Sequence, residues 1–140
     1  MRFNKLIPEL SVSNFQESLN FYTKIIGFKI EYQRQEDNFA YLSFQGSQIM
    51  IDNGNDKEDS PWFTGELKYP RGRDIHFQFE VDSIKLILEK LQKNDYPIKV
   101  KPKDYWFRKD NKMVGMKGFL VMDPGGYLLM FNEDIGTKPL

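Results

Sequence analysis

The chain has 140 residues with twenty basic and twenty acidic side chains, so its formal net charge at pH 7 is zero. Because non-specific nucleic-acid binding needs a broad positive field, this balance argues against nucleic acid as a partner. The chain contains no cysteine, which excludes a disulfide framework and a thiolate nucleophile, and its 40% hydrophobic and 15% aromatic content predicts one packed domain over residues 1–140.

The first residues, MRFNKLIPEL, lack the apolar core of a signal peptide, and no run approaches the ~18 apolar residues of a membrane span. We therefore expect a cytoplasmic protein without a membrane partner. Within this segment, Lys5–Val12 is predicted to form a short first strand. Asn14 and Glu17 are spaced as a capping box for a helix that Gly27 would end.

Apolar side chains recur along one face of this predicted helix, which indicates that the face is buried: Phe15, Leu19, Tyr22 and Ile26. Three runs rich in aromatic and β-branched residues follow, FKIEYQRQ, NFAYLSFQ and SQIMID, separated by turn-forming residues. They are predicted to form three antiparallel strands.

A polar interval from Asn53 to Arg73 has no period of its own and is either a linker or a functional loop. The pattern then restarts with the strand DIHFQFEV and a helix capped by Asp82 or Ser83, whose apolar positions are Ile84, Ile87, Leu88 and Leu91. Three more strand-like runs follow, PIKVKPKDYWF, MVGMKGFLVMD and YLLMFNE, with a turn at 123–126 between the last two.

The two halves repeat one another. A shift of 69 residues places Val81 on Val12 and His76 on Ile7 without a gap. The sequence therefore predicts an α+β fold of two tandem βαβββ modules, about 5–52 and 74–133, joined by the loop 53–73.

The segments IPELSVSNFQESLNFYTKIIGFKI, NFAYLSFQGSQIMI, HFQFEVDSIKLILEKL and GFLVMDPGGYLLMFNE, in this order and spacing, resemble the glyoxalase / bleomycin resistance / extradiol dioxygenase superfamily. The resemblance covers nearly the whole chain. It implies curved mixed sheets that surround a cleft, with the active or binding site in that cleft.

Enzymes of this superfamily bind a divalent metal at equivalent strand positions of the two modules, which correspond here to Ile7, Met50, His76 and Met130. Only His76 offers a nitrogen or oxygen ligand, whereas such an ion needs three or four, and thioethers do not replace carboxylates. We therefore expect no metal, no other cofactor and no catalytic residue. His76, the single histidine, is expected to be a hydrogen-bonded residue of the cleft or core.

The resemblance is strongest to the bleomycin resistance proteins, which bind a flat cationic drug without chemistry. Pro8 in the first strand resembles the strand that those proteins exchange between two subunits, which implies a swapped homodimer with ligand crevices at the interface. The segment DYWF resembles their aromatic drug-contacting segment. The expected ligand contacts are Tyr32, Phe39, Met50, Asp52, Trp62, His76, Trp106 and Phe107, with an acidic rim at Asp52, Asp56, Glu58 and Asp59.

Several alternatives stay open. Trp106 and Phe107 could equally cap the core beneath a long hairpin, Trp62 could be a dimer contact, and an acidic run is usually just solvated. The zero net charge also counts against capture of a cationic drug. The functional alternatives are a metal-dependent glyoxalase- or dioxygenase-like enzyme, with its metal bound elsewhere, and a scaffold without a small ligand.

Overall fold

A computed structural model of the chain describes residues 2–54 and 57–140 and has an α+β fold with two four-stranded mixed sheets. The fold class predicted from the sequence is therefore confirmed. The chain divides into two compact units. The first contains the residues up to Arg73 together with Asp123–Tyr127, and the second contains Asp74–Met122 and Leu128–Leu140.

The first unit begins with strand β1 (Glu9–Ser11) and helix α1 (Phe15–Asn20), which continues as a π-helical segment (Phe21–Ile26). The Asn14 side chain accepts a hydrogen bond from the Glu17 N–H at 3.0 Å, so the predicted cap is confirmed. Gly27 ends the helix with a φ of 114°, a left-handed conformation that glycine adopts without steric cost.

The π-helical winding was not predicted from the 3.6-residue spacing. The Thr23 hydroxyl donates to the Leu19 carbonyl at 2.6 Å and competes there with the backbone N–H that would continue a regular helix. The Gly27 N–H then reaches back five residues to the Tyr22 carbonyl at 3.0 Å. The predicted apolar face is nevertheless buried along its whole length, from Phe15 to Ile26.

The sheet of the first unit has the strand order β1-β4-β3-β2, with β2 at Lys29–Arg34, β3 at Phe39–Phe44 and β4 at Ser47–Asp52. Strands β2, β3 and β4 are antiparallel as predicted, and β1 lies parallel to β4. A short 3-10 turn, Gln35–Asp37, joins β2 to β3.

Strand β1 is shorter than the predicted Lys5–Val12. Pro8 has no N–H to donate, and only its carbonyl joins the ladder, where it accepts from the Met50 N–H at 2.9 Å. Before Pro8 the chain leaves the ladder, and the Asn4 N–H binds the side-chain oxygen of Gln48 instead, at 2.7 Å. Because β1 pairs with β4 of its own chain, the exchange of this strand in a dimer remains a prediction.

Side chains alternate between the two faces of this sheet. One set is buried and forms the core: Leu10, Ala40, Leu42, Ile49 and Ile51. The opposite set includes Glu9 and Ser11 of β1, Phe39 of β3, and Met50 and Asp52 of β4, and this face carries the candidate site described below.

The second unit contains β5 (His76–Glu80), α2 (Ile84–Lys93), β6 (Val100–Lys109), β7 (Lys112–Met122) and β8 (Leu128–Pro139). Its sheet order is β5-β8-β7-β6, with β5 parallel to β8. Strand β8 extends beyond the predicted end at residue 133, because β7 pairs with it as far as Lys112 opposite Pro139. Stacked rings of Phe79, Phe119 and Phe131 form the centre of its core.

Strand register supports the predicted repeat. Glu9 lies opposite Met50 in the first unit, and Gln78, its equivalent after the shift, lies opposite Met130 in the second. After β1 the Val12 N–H donates to the Asp52 carbonyl at 2.6 Å, and after β5 the Val81 N–H donates to the Asn132 carbonyl at 2.8 Å. In each unit the first strand thus pairs with the last strand in parallel and in the same register.

Within residues 2–54 and 57–140, no helix is long and apolar enough to cross a membrane.

Candidate functional site

Two neighbouring cavities lie on the first unit, between the sheet and the loop that follows β4. The larger cavity has a volume of about 440 Å³ and the smaller one about 360 Å³. Both are lined by Glu9 and by Trp62, a residue that is 67% exposed. The larger cavity is also lined by Ile7, Ser11, Met50, Thr64, Leu67 and Tyr127, and the smaller one by Arg34, Asp37, Phe39, Asp52 and Gly54. Their volumes lie in the range of small-molecule sites.

Two carboxyl groups meet at these cavities. The parallel register places Glu9 beside Met50 and Ser11 beside Asp52, so the Glu9 and Asp52 side chains lie on one face of adjacent strands. Removal from water and the neighbouring Asp52 carboxylate, which also shares a hydrogen bond with Glu9, raise the pKa of Glu9, while Arg34 lowers it. Asp52 is buried and accepts a hydrogen bond from the Gly54 N–H at 3.3 Å. Glu9 therefore retains its proton to a higher pH than an isolated glutamate would.

A cation and an aromatic ring form another wall of the smaller cavity. The Arg34 Cζ lies 4.0 Å from the centroid of the Phe39 ring, and the Arg34 Nε donates to the Asp37 carboxylate at 3.1 Å. Phe39 is buried, and the adjacent Tyr32 ring lies 5.8 Å from it and stacks on Tyr41 at 5.3 Å. Strands β2 and β3 thus carry an aromatic row that begins at the cavity.

A buried network holds Tyr127 at the edge of the larger cavity. The Tyr127 hydroxyl donates to the Ser11 carbonyl at 2.9 Å, and the Tyr127 N–H donates to Asp123 at 2.8 Å. The fully buried Tyr22 donates its hydroxyl to the same Asp123 carboxyl at 2.6 Å. Burial raises the pKa of Asp123, although the hydrogen bonds from Tyr22 and from the turn act in the opposite direction.

Five of the predicted contact residues lie together in the first unit. Phe39, Asp52 and Trp62 line the smaller cavity, Met50 lines the larger one with Trp62, and Tyr32 lies beside Phe39. Of the predicted acidic rim, Asp56 lies outside the described residues, and Glu58 and Asp59 are exposed and line neither cavity.

Trp106 and Phe107 belong to the second unit and point to opposite faces of β6. The Trp106 ring lies over Gly115, where an added Cβ would come within 2.5 Å of it. The Nζ of Lys138, on β8, lies 4.1 Å from the centroid of the Trp106 ring. Phe107 is 51% exposed and stacks on Tyr105 with centroids 6.3 Å apart. Trp106 is thus packed within the hairpin, which favours the structural interpretation of this residue.

His76 also belongs to the second unit and is exposed, so it is not part of that unit's core, and its place in a ligand cleft remains a prediction. Its Nε2 lies 3.3 Å from the side-chain oxygen of the exposed Gln78. Strand register places His76 opposite Leu128 of β8, which lies opposite Met122 of β7, whereas Trp106 lies opposite Gly115 of β7. Seven residues of strand separate these positions along β7, or roughly 23 Å, so His76 and Trp106 do not share one site within the sheet.

The positions at which the superfamily's enzymes hold a metal do not provide suitable ligands here. Ile7 and Met50 line the larger cavity with a hydrocarbon and a thioether. In the second unit, Met130 is buried and His76 is the one position with a nitrogen donor. Among the described residues, no three His, Cys, Asp or Glu side chains lie close enough together to hold a metal ion. A divalent metal therefore does not fit this donor set.

Three residues that line the cavities were not predicted from the sequence: Glu9, Arg34 and Tyr127. Glu9 could have been found, because the alternation of a strand puts it on the same face as Ile7, a position already assigned to the cleft. Tyr127 had no such signal, since it contacts Ser11, 116 residues away in the sequence. Arg34 lies near Asp37 and Phe39 in the sequence, but its place beside Glu9 and Asp52 depends on the pairing of the whole sheet.

Two βαβββ units, each with its first strand parallel to its last, define the vicinal oxygen chelate fold. The family model described as the Glyoxalase/Bleomycin resistance protein/Dioxygenase superfamily matches residues 6–131, and the chain belongs to this superfamily.

Solved structures are similar in fold. One is a glyoxalase/bleomycin resistance protein/dioxygenase from Alicyclobacillus acidocaldarius, with 19% identity over 96% of both chains and a TM-score of 0.63. An integron cassette protein from Vibrio cholerae has 18% identity over 95% of this chain and 97% of its own, with a TM-score of 0.65. A lactoylglutathione lyase from Agrobacterium tumefaciens has 14% identity over 93% and 92%, with a TM-score of 0.57. No curated protein matches the chain.

Proposed function

We propose that the protein binds a small, flat, positively charged molecule in the two cavities around Glu9 and Trp62, without a metal and without making or breaking a bond. The observation that carries this proposal is the exposed Trp62 ring, which lines both cavities beside the Glu9–Asp52 carboxyl pair. Sequestration of the ligand would then be the biological effect.

Trp62 supports the aromatic part of the proposal. A large aromatic side chain gains free energy when it is removed from water, and stacking of a second ring adds about 0.5–1.5 kcal/mol. In the described structure, Trp62 is 67% exposed while its loop neighbours Thr64 and Leu67 line the same cavity. A flat ligand would bury this ring against the sheet.

The charges around the smaller cavity support the cationic part. Arg34 and Asp37 form an ion pair with each other. Glu9 and Asp52 add two further acidic side chains to the lining, so the four charged side chains comprise three acids and one base. A positive ligand would complement this charge, whereas an anion would meet two carboxyl groups.

The size of the cavities limits the ligand class. Each cavity has room for one compact ring system, so a bleomycin-type glycopeptide would place only its flat cationic part here.

We further propose a homodimer, by analogy with the bleomycin resistance proteins that the sequence resembles. Light scattering should then report about twice the mass of the 16.6 kDa chain, and a monomer would contradict this part.

The test uses the fact that Trp62 and Trp106 are the two tryptophans of the chain. The Trp106→Phe variant leaves Trp62 as the fluorescent reporter, and Trp62→Phe leaves Trp106 as a matched control. N-methylquinolinium is a flat cationic probe, and neutral quinoline at pH ~8 has nearly the same shape. We expect N-methylquinolinium to quench the Trp62 reporter saturably, quinoline to bind more weakly, and the Trp106 reporter to respond little.

Trp62→Ala should weaken binding of N-methylquinolinium by roughly 1–3 kcal/mol, about ten- to a hundredfold, and leave the melting temperature nearly unchanged because the ring is exposed. Quenching carried by Trp106 alone would refute the assigned site. The absence of both quenching and thermal shift at ~100 μM, with N-methylquinolinium and with a bleomycin-type drug, would refute the binding function and favour a scaffold.

A further inference from the structure

Arg71 is a buried arginine that the proposed function does not use. The residue is only 9% exposed, and its guanidinium Nη1 donates to the Ser11 carbonyl at 2.9 Å. It lines neither of the two cavities, whereas Ser11 lines the larger one. Because it is costly to bury a guanidinium, its place behind the wall of the cavity calls for a reason.

Two donors from distant parts of the chain meet at the Ser11 carbonyl. Arg71 follows Ser11 by 60 residues and Tyr127 follows it by 116, and the Tyr127 hydroxyl donates to the same oxygen at 2.9 Å. The backbone N–H of Arg71 also donates to the Gly125 carbonyl at 3.1 Å. Arg71 is therefore joined both to β1 and to the turn that precedes Tyr127, and both of these contribute to the larger cavity.

The Trp62 loop, residues 57–73, depends on Arg71 for its attachment to the sheet. Trp62, Thr64 and Leu67 belong to this loop and line the larger cavity. Among the hydrogen bonds of the described residues, the two that join the loop to the rest of the first unit both start at Arg71. The other hydrogen bonds of the loop join its own residues to one another.

We propose that Arg71 is a positioning residue, which fixes the Trp62 loop to β1 and thereby holds the Trp62 ring at the cavities. Arg71 thus determines ligand affinity without touching the ligand. A ligand that has to order a loop loses binding free energy to that ordering, and a loop already held in place avoids this loss. The inference rests on the proposed function, because it names a residue that controls the same site.

The charge and the position of Arg71 act in opposite directions on a cationic ligand. Loss of a positive charge alone would favour a cation, whereas a loosened Trp62 would weaken binding of any flat ring. Arg73 separates these effects, because it lies in the same loop and is exposed, and its described hydrogen bonds go to the loop carbonyls of Tyr69 and Pro70. Arg73→Met is therefore the matched control for Arg71→Met.

The experiment measures first the motion of the Trp62 ring and then ligand binding. Arg71→Met, Arg71→Lys and Arg73→Met are each made in the Trp106→Phe background, in which Trp62 is the fluorescent reporter, and melting temperatures establish which variants are folded. Time-resolved fluorescence anisotropy reports the local motion of Trp62 without any ligand. Fluorescence titrations with N-methylquinolinium and with neutral quinoline then give the two affinities.

We expect Arg71→Met to increase the local motion of Trp62 and to weaken binding of both probes roughly tenfold, the effect of about one lost hydrogen bond to a charged group. Arg71→Lys keeps the charge without the planar fork, so it should show the same changes at a smaller size, and it decides the question if Arg71→Met does not fold. Arg73→Met should keep the parent's Trp62 anisotropy and its quinoline affinity.

Two results would overturn the positioning role. One is a Trp62 anisotropy in the Arg71 variants that matches the parent's, and the other is binding of N-methylquinolinium that is as tight as in the parent or tighter. The anisotropy comparison needs no ligand, so it tests Arg71 even if the parent binds neither probe, which is the separate result that refutes the proposed function.

Discussion

Replacement of Asp123 by alanine tests the buried network that supports the larger cavity. The Asp123 carboxyl accepts the hydroxyl of the fully buried Tyr22 at 2.6 Å and the backbone N–H of Tyr127 at 2.8 Å. Alanine removes both acceptors at once. Asparagine retains a carbonyl oxygen for the Tyr127 N–H and an amide that can donate to the Tyr22 oxygen, so it is the matched control.

The expected loss of stability follows from the polar groups of Tyr22 and Tyr127 that lose their hydrogen-bond partner. A buried hydroxyl without a partner costs about 1–3 kcal/mol, and loss of the second hydrogen bond adds about 1 kcal/mol. We therefore expect Asp123→Ala to lower the free energy of unfolding by about 2–4 kcal/mol, which corresponds to a fall in melting temperature of roughly 10 °C for a chain of this size. Asp123→Asn should lose clearly less.

Proton linkage gives this prediction a second, independent signature. Because the pKa of Asp123 is raised above its ordinary value of 3.8, the folded state holds a proton that the unfolded state releases. The stabilisation from this proton is complete below pH ~4 and is lost as the pH rises through the raised pKa. Asp123→Asn lacks this titration, so the wild type should lose stability relative to Asp123→Asn over that interval.

Urea unfolding followed by circular dichroism at several pH values measures both effects. Asp104→Ala, which removes an exposed carboxylate from β6, should remain within about 0.5 kcal/mol of the wild type. If Asp123→Ala unfolded at the same urea concentration as Asp104→Ala, the hydrogen bonds to Tyr22 and Tyr127 would not contribute to stability and the reasoning would be wrong.

Three further predictions follow from other contacts. Gly115→Val should destabilise the protein by about 1–3 kcal/mol and shift the emission of Trp106 in a Trp62→Phe background, since a Cβ at Gly115 would lie 2.5 Å from the Trp106 ring; an unshifted spectrum would contradict this packing. His76→Ala should change stability by no more than about 0.5 kcal/mol in thermal unfolding, because His76 and its partner Gln78 are both exposed, and a larger loss would indicate a role that these contacts do not explain. The affinity for N-methylquinolinium should increase as the pH rises through the raised pKa of Glu9, because this carboxyl group then loses its proton and gains negative charge; fluorescence titrations across that interval measure it, and a constant affinity would exclude Glu9 from the site.

The local pattern of the chain was enough to predict the α+β fold, because its signals act over short distances. The Asn14 cap, the end of the helix at Gly27 and the buried face from Phe15 to Ile26 each depend on residues a few positions apart. The exposure of Trp62 could also be predicted, since its polar, proline-flanked segment offers no apolar surface on which to bury it.

The site depended on contacts that local pattern does not encode. Glu9 meets Asp52 across 43 residues because β1 lies parallel to β4 in one particular register, and a shift of one residue would turn both side chains to the other face. Arg34 lies over Phe39 because the short turn Gln35–Asp37 places the last residue of β2 opposite the first residue of β3. Trp106 packs on Gly115, nine residues further along the chain, because that glycine leaves room for the ring. Local sequence pattern is thus enough to predict which residues form strands and helices. Which side chains meet depends on strand register, because register is set by the packing of the whole sheet.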